Sequence, residues 1–167
     1  MKTKSLKSYK TPLRYPGGKS RALSKLFQFI PDLKDYTEFR EPFLGGGSVA
    51  IEIGKRYPHI DIWVNDLYEP LYNFWKVLQS DGDKLKDILL QLKQRHPDFG
   101  SAKQLFLDAK DYLAKPVGNS IDRAVAFYVV NKCSFSGLTE SSAFSKQASE
   151  SNFSINGIEK LPEYSLM

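Results

Sequence analysis

The sequence predicts an α/β protein: the opening of a doubly wound domain with parallel strands, interrupted by a mostly helical insertion. Three observations predict it. A short β-prone stretch runs into three consecutive glycines, Gly45-Gly46-Gly47, and a helical segment follows them. A second β-rich stretch, Ile60-Asp61-Ile62-Trp63-Val64, ends at Asn65-Asp66. From Pro70 onward, helical patterns succeed one another with no convincing strand between them. Strand, glycine turn, helix, strand and acid is the order of a parallel βαβ unit.

The elements follow in order. Residues 1–11 read as a disordered or loosely attached arm, and 12–18 (PLRYPGG) as turn. Leu23, Leu26, Phe27 and Ile30 fall at helical spacing, which predicts an amphipathic helix from Lys19 to Ile30, stopped by Pro31. A strand is expected from Thr37 to Phe43, a helix from Ser48 to Tyr57, and a strand from Ile60 to Val64. Helices are then expected over 70–79, 83–95, 101–115 and 120–132. Cys133 to Gly157 is rich in Ser, Thr, Asn and Gly and reads as a long loop or irregular hairpin. This divides the chain into an N-terminal α/β part (1–68), a helical insertion (69–160) with its loop at about 133–157, and the start of a return (161–167). Two parallel strands leave both sheet edges open, so the α/β part reads as incomplete.

Bulk properties narrow the classes. The chain has 167 residues, room for one ordinary domain or slightly more, and 13% aromatics to fill a core. No apolar run approaches the roughly 20 residues that cross a bilayer, and no apolar segment follows the N-terminal lysines as in a signal peptide. A single cysteine, Cys133, and two distant histidines, His59 and His96, give no disulfide and no structural metal site, which fits a reducing cytoplasm. His59 is expected to be exposed, Cys133 semi-buried and unreactive, and Trp63 and Trp75 to serve packing. Net charge is +5, and Lys2, Lys4, Lys7, Lys10, Arg14, Lys19, Arg21 and Lys25 all precede the first acid, Asp32. Such an arm is a solvated tail or a polyanion-binding segment.

The most informative stretch is Glu41-Pro42-Phe43-Leu44-Gly45-Gly46-Gly47-Ser48-Val49-Ala50. Gly45, Gly47 and Ala50 fit G-x-G-x-x-[G/A] between a strand and a helix, and Asp66 ends the next strand about 20 residues on. Missing Cβ atoms permit positive φ and close approach of a ligand to backbone. The helix start offers free N–H groups, and the carboxylate suits a ribose diol. Together they suggest a pocket for an adenosine-type cofactor. A triple glycine is also an ordinary tight turn, and Asp66 also suits capping the next helix. This geometry serves NAD and S-adenosylmethionine alike. Pro42-Phe43 before the glycines, and the extra segment Tyr15-Pro16-Gly17-Gly18-Lys19 upstream, favour the methyl donor.

That upstream segment is not a P-loop, because Leu13 stands where its first glycine belongs and no strand leads in. A glycine turn delivering Lys19 to a carboxylate, with Tyr15 offering an aromatic face, suits the methionine end and sulfonium of S-adenosylmethionine. The plain alternative is a surface lysine in the first turn of a helix, a position the helix dipole disfavours for a cation.

Arg14-Tyr15-Pro16-Gly17-Gly18-Lys19, Glu41 through Val49, and Asn65-Asp66 together resemble the Dam-type DNA adenine-N6 methyltransferases. The resemblance extends over essentially the whole chain and is densest in 12–66. It implies a partial Rossmann-like, S-adenosylmethionine-dependent methyltransferase fold with a mostly helical target-recognition insertion, acting on double-stranded DNA. It implies cofactor contacts at Tyr15, Gly17, Gly18, Lys19, Phe43, Gly45, Gly47 and Asp66. It places Arg14 at a DNA-contacting position. Asn131-Lys132-Cys133-Ser134-Phe135-Ser136-Gly137-Leu138 is similar to the family's DNA-entering segment, implying DNA contacts at Asn131, Lys132, Phe135 and Ser136. Ser136 departs from the usual asparagine, which leaves a specific contact there open. A polar loop with one buried Phe is the structural alternative.

The family's catalytic tetrapeptide, Asp-Pro-Pro-Tyr or a relative, does not occur in this sequence. In that family it orients the adenine amino group and stacks on the flipped base. The expectation is a fragment inactive alone, paired with a missing C-terminal portion or a second chain, or else a non-catalytic nucleic-acid-binding module derived from such an enzyme. An NAD-dependent oxidoreductase is the third class and predicts competition by NADH. With a radiolabelled methyl donor and adenine-containing duplex DNA, this chain by itself is expected to give no turnover; measurable turnover refutes that.

Overall fold

A computed structural model describes residues 11–115, 118–137 and 141–164. The lysines at 2, 4, 7 and 10, the loose arm around them, and Leu138 lie outside the described residues. Among those described, no helix is long and apolar enough to cross a membrane.

The expected helix over 19–30 is a 3-10 turn, Lys19–Arg21, followed by one α-turn, α1 (Leu23–Leu26). Its apolar positions do point inward as the spacing predicts: Leu23, Leu26, Phe27 and Ile30 pack on a small cluster of Leu33, Val49, Ile53 and Ile60. That cluster is too small to bury this segment fully, and none of the 3-10 or α1 residues is fully buried.

Strand β1 (Glu38–Glu41) and strand β2 (Asp61–Val64) pair in parallel, Glu38 opposite Asp61 and Glu41 opposite Val64. Helix α2 (Ser48–Arg56) connects them, with Val49, Ile51 and Ile53 buried. The sheet has these two strands among the described residues, as the sequence predicts. Trp63 departs from expectation. It is 50% exposed, because its alternation on β2 directs it away from both clusters.

The helical part holds most of the core. The two helices expected over 70–79 and 83–95 are one, α3 (Glu69–Arg95), with non-helical backbone only at Asp81 (φ −138°, ψ 33°). Its buried stripe continues across the kink, from Leu71, Phe74 and Leu78 to Leu85 and Leu89. Gly82, beside the kink, lies against Pro162, leaving 3.7 Å between a Cβ there and the Pro162 Cα. Helix α4 (Phe99–Ala114) starts at Asp98, whose carboxylate accepts the Ser101 N–H and is held below its ordinary pKa by that bond. Helix α5 (Ser120–Cys133) is buried without interruption from Ala124 to Asn131 and is the central helix. Phe74 stacks on Tyr128 at 5.8 Å between ring centroids and meets Phe127 at 5.6 Å.

The expected loop over 133–157 is more ordered than its composition suggests. One antiparallel bridge, Ser134 to Phe144, closes it like a hairpin. Two short helices follow, α6 (Lys146–Ser151) and α7 (Ile155–Glu159), each capped by a serine, Ser145 and Ser154. A 3-10 turn, Leu161–Tyr164, ends the described chain.

The two parts meet at the glycine turn. Gly47 caps α2 in the left-handed region (φ 74°), and a Cβ there would lie 2.5 Å from the Trp75 ring. Gly47→Ala should therefore lower stability by about 2 kcal/mol, from overpacking and backbone strain together. Urea unfolding followed by tryptophan fluorescence checks this; an unchanged midpoint contradicts the packing described.

Candidate functional site

Leu44 N–H donates to Asn65 O (2.9 Å) and Gly47 N–H to Leu44 O (2.9 Å), so the turn after β1 is held beside the end of β2. This brings Asp66 to the glycines. Its Oδ2 accepts the Gly45 N–H at 2.9 Å and its Oδ1 the Tyr68 N–H at 3.1 Å. The second bond fixes the turn leading into α3, so Asp66 also orders the start of that helix. Each carboxylate oxygen retains a second lone pair.

The upstream segment closes the other side. Gly17 (φ 74°) turns the chain, and Gly18 N–H donates to Tyr15 O at 2.9 Å. The Tyr15 ring lies over the turn: a Cβ on Gly45 would come within 3.0 Å of it. Burial and the nearby Asp66 charge raise the Tyr15 pKa, so its hydroxyl stays protonated. Thr11 Oγ1 donates to Gly46 O and pins the same segment.

These pieces enclose a cleft of about 260 Å³ lined by Tyr15, Gly17, Gly18, Lys19, Glu41, Phe43, Leu44, Gly45, Gly46, Ser48 and Asp66. Seven of the eight positions carried over from the resemblance thus face one hollow. Gly47 does not: its bare α-carbon accommodates Trp75. Lys19 and Asp66 are on the same side of the fold. Larger surface hollows, about 800 Å³ between α1 and α2, about 490 Å³ beside Trp63 and Trp75, and about 420 Å³ between α4 and Phe144, lack this glycine backbone.

Glu41 is the residue that sequence reasoning missed. It is buried, its Oε2 accepts the Ala50 N–H (3.1 Å), and its Oε1 lies 3.8 Å from Lys19 Nζ. Burial raises its pKa, against the opposing pull of Lys19 and the Ala50 N–H. The signal was in the sequence: a carboxylate on the last residue of β1, four before the first glycine, flanking the turn.

The remaining positions divide. Phe135 is 73% exposed, and Ser136 is exposed beside it. Arg14 is half-buried, and its Nη1 donates to Ser134 O at 2.6 Å. Lys132 is also half-buried and lies 5.3 Å from the Tyr128 ring centroid. Burial, then the Arg14 charge, lowers its pKa to about 8. Asn131 is 1% exposed, its amide bonded to Arg14 and Gly137. In this conformation the Asn131 side chain is part of the protein interior. Cys133 is likewise fully buried rather than semi-buried, with its thiol pushed up to about 12 by burial. His59 is exposed as expected. No cluster of metal-ligating side chains occurs among the described residues.

Because Glu41 has a raised folded pKa, the folded state holds its proton more tightly than the unfolded state. Stability then falls as pH rises from the unfolded value near 4.5 through the folded one. Glu41→Gln removes that charge and keeps an acceptor for the Ala50 N–H. The variant should lose less stability than the native chain between pH 4.5 and neutrality; thermal melts across that range that run parallel contradict this.

The sequence also matches known proteins. Residues 15–166 match the D12 class N6 adenine-specific DNA methyltransferases. The chain is 30% identical over 126 residues to the DNA N-6-adenine-methyltransferase of Escherichia phage P1, a match covering 75% of this chain and 15% of that protein. It is 28% identical over 133 residues to the type II methyltransferase M.MjaIII of Methanocaldococcus jannaschii, covering 75% of this chain and 46% of that one. The matches thus span less than half the length of either relative. With the family match running through both the cleft and the helical part, the chain belongs to the D12 class N6 adenine-specific DNA methyltransferases.

Proposed function

We propose that the chain is the cofactor-binding and DNA-reading portion of an S-adenosylmethionine-dependent enzyme that methylates N6 of adenine in double-stranded DNA. The observation that carries the reading is the convergence of Lys19, Glu41 and Asp66 on one glycine-walled cleft.

The residues fit that cofactor by the chemistry of their donors and acceptors. S-adenosylmethionine has a carboxylate and an ammonium at one end and a ribose diol further along. Lys19 and Glu41, paired at 3.8 Å, offer one charge for each group of the amino-acid end. Asp66, already fixed by two N–H donors, offers its remaining lone pairs to the diol. Tyr15 offers an aromatic face to the sulfonium. When bound, the cofactor supplies an electrophilic methyl group. At 260 Å³ the cleft is below the usual range of about 300–1,000 Å³ for small-molecule pockets, which suits part of the ligand rather than all of it. Its remaining walls belong to the rest of a Rossmann-like methyltransferase domain, of which 1–68 is the N-terminal part.

On this reading 69–160 is the target-recognition insertion. Phe135 and Ser136 stand at its exposed loop. An exposed aromatic in a polar loop beside Arg14 suits insertion between base steps, with the arginine toward the phosphates. The catalytic tetrapeptide comes from a C-terminal portion or a second chain, and 161–164 begins the return toward it.

Calorimetry with S-adenosylhomocysteine tests the cleft. Asp66→Asn, which removes one charged acceptor, should weaken binding roughly ten-fold or more. Absence of heat with the native chain, or competition by NADH, sinks the proposal. Adding the missing C-terminal portion in trans should restore transfer of radiolabelled methyl to duplex DNA; a folded mixture that binds DNA and cofactor without transfer identifies a binding module instead.

A further inference from the structure

Asn131 lies in the last turn of α5, and its amide makes three hydrogen bonds. Oδ1 accepts the Arg14 N–H at 3.0 Å, while Nδ2 donates to Arg14 O at 2.7 Å and to Gly137 O at 3.0 Å. One side chain therefore engages both backbone groups of Arg14, as a neighbouring strand would, and fixes the orientation of that peptide as well as its position. The Arg14 guanidinium returns a bond to Ser134 O at 2.6 Å. Gly137 (φ 72°) completes the joint: a Cβ there would stand 2.6 Å from both the Cβ and the O of Arg14.

The two segments so joined have different tasks in the proposed function. Arg14 precedes Tyr15, whose ring walls the cofactor cleft over Gly45. Gly137 follows Phe135 and Ser136, the exposed loop. We infer that Asn131 is a positioning residue that couples cofactor binding to DNA binding, by holding the Tyr15 segment and the Phe135 loop as one unit; this rests on the cleft and loop assignments above. A cofactor that orders the Tyr15 segment also restrains the loop through Asn131. DNA then meets a loop whose ordering cost is already met, and the coupling is reciprocal.

The test measures S-adenosylhomocysteine affinity by calorimetry with and without adenine-containing duplex DNA. The native chain should bind the cofactor product about five-fold or more tightly on DNA. Asn131→Asp keeps the acceptor for the Arg14 N–H but removes both donors. Gly137→Ala opens the same joint from the other side and leaves the amide intact. In both variants the ratio should fall toward one, even where displacement of the Arg14 peptide also weakens the affinity without DNA. A general loss of structure would instead weaken both affinities together. In the native chain, the cofactor product should also slow amide exchange across 134–137 as well as 15–19, a measurement that needs no variant to fold. Folded variants that keep the full ratio, a native ratio of one with both ligands bound, or protection confined to 15–19 overturns the inference. A native chain that binds neither ligand removes the functional assignment and this coupling with it.

Discussion

The indole of Trp75 lies where the two parts of the molecule meet. Its ring occupies the space a side chain on Gly47 would fill, and its Nε1–H donates to Gly45 O at 3.1 Å. A two-stranded parallel pair has little stability of its own, and β1 and β2 have no further strand among the described residues. What fixes the glycine turn is therefore α3, through Trp75, with neighbouring Phe74 packed on Tyr128 and Phe127 of α5. The proposed cofactor cleft takes its shape from a helix of the proposed recognition insertion. The proposed boundary between 68 and 69 would separate two tasks, but the packing crosses it.

A consequence is that the glycines serve the protein before any ligand. Gly47 makes room for Trp75, and Gly45 and Gly46 make room for Tyr15. The Gly45 N–H is already taken by Asp66. The polar groups facing the cleft are correspondingly preorganised. Asp66 is held by two N–H groups and Glu41 by one, so their orientation is set during folding rather than at binding. Lys19 is the adaptable partner, with a side chain half exposed and its charge 3.8 Å from Glu41. A rigid acid pair with a movable lysine suits a zwitterionic ligand whose far end varies in position.

How much of this was legible in the sequence follows from the range of each interaction. The glycine turn, both strands, Asp66 and the helical stretches of α3, α4 and α5 rest on local periodicity and turn chemistry and stand close to where the sequence placed them, whereas α6 and α7 occupy a stretch that reads as loop. The gap expected near residue 81 was a kink, because one non-helical residue with an adjacent glycine reads locally as an end. Glu41 escaped notice because its value as a site residue depends on burial against Ala50 and on Lys19, from a separate segment. Trp63 and Trp75 read alike as packing residues, and only the tertiary arrangement separates the exposed one from the buried one. The interior position of the Asn131 side chain was not legible for the same reason: its partner Arg14 is 117 positions away.

The segment Asn131 to Gly137 shows why a motif resists reading as one unit. Its residues fall into an inward set and an outward set. Asn131, Cys133 and Ser134 are buried at 0–1% exposure, and Gly137 leaves no room for a Cβ against Arg14. Phe135 and Ser136 face outward, next to the Ser134–Phe144 bridge, and Lys132 is half-buried. The inward residues are constrained by the hydrogen bonds of a buried amide, where an unpaired donor costs about 1–3 kcal/mol. The outward ones carry no such constraint from the fold. Asparagine at 131 and glycine at 137 are therefore demanded by the loop's attachment, whatever the loop contacts. Serine at 136 is free to differ from the family's asparagine without disturbing the fold, so a difference there acts on what the loop touches rather than on how it is held.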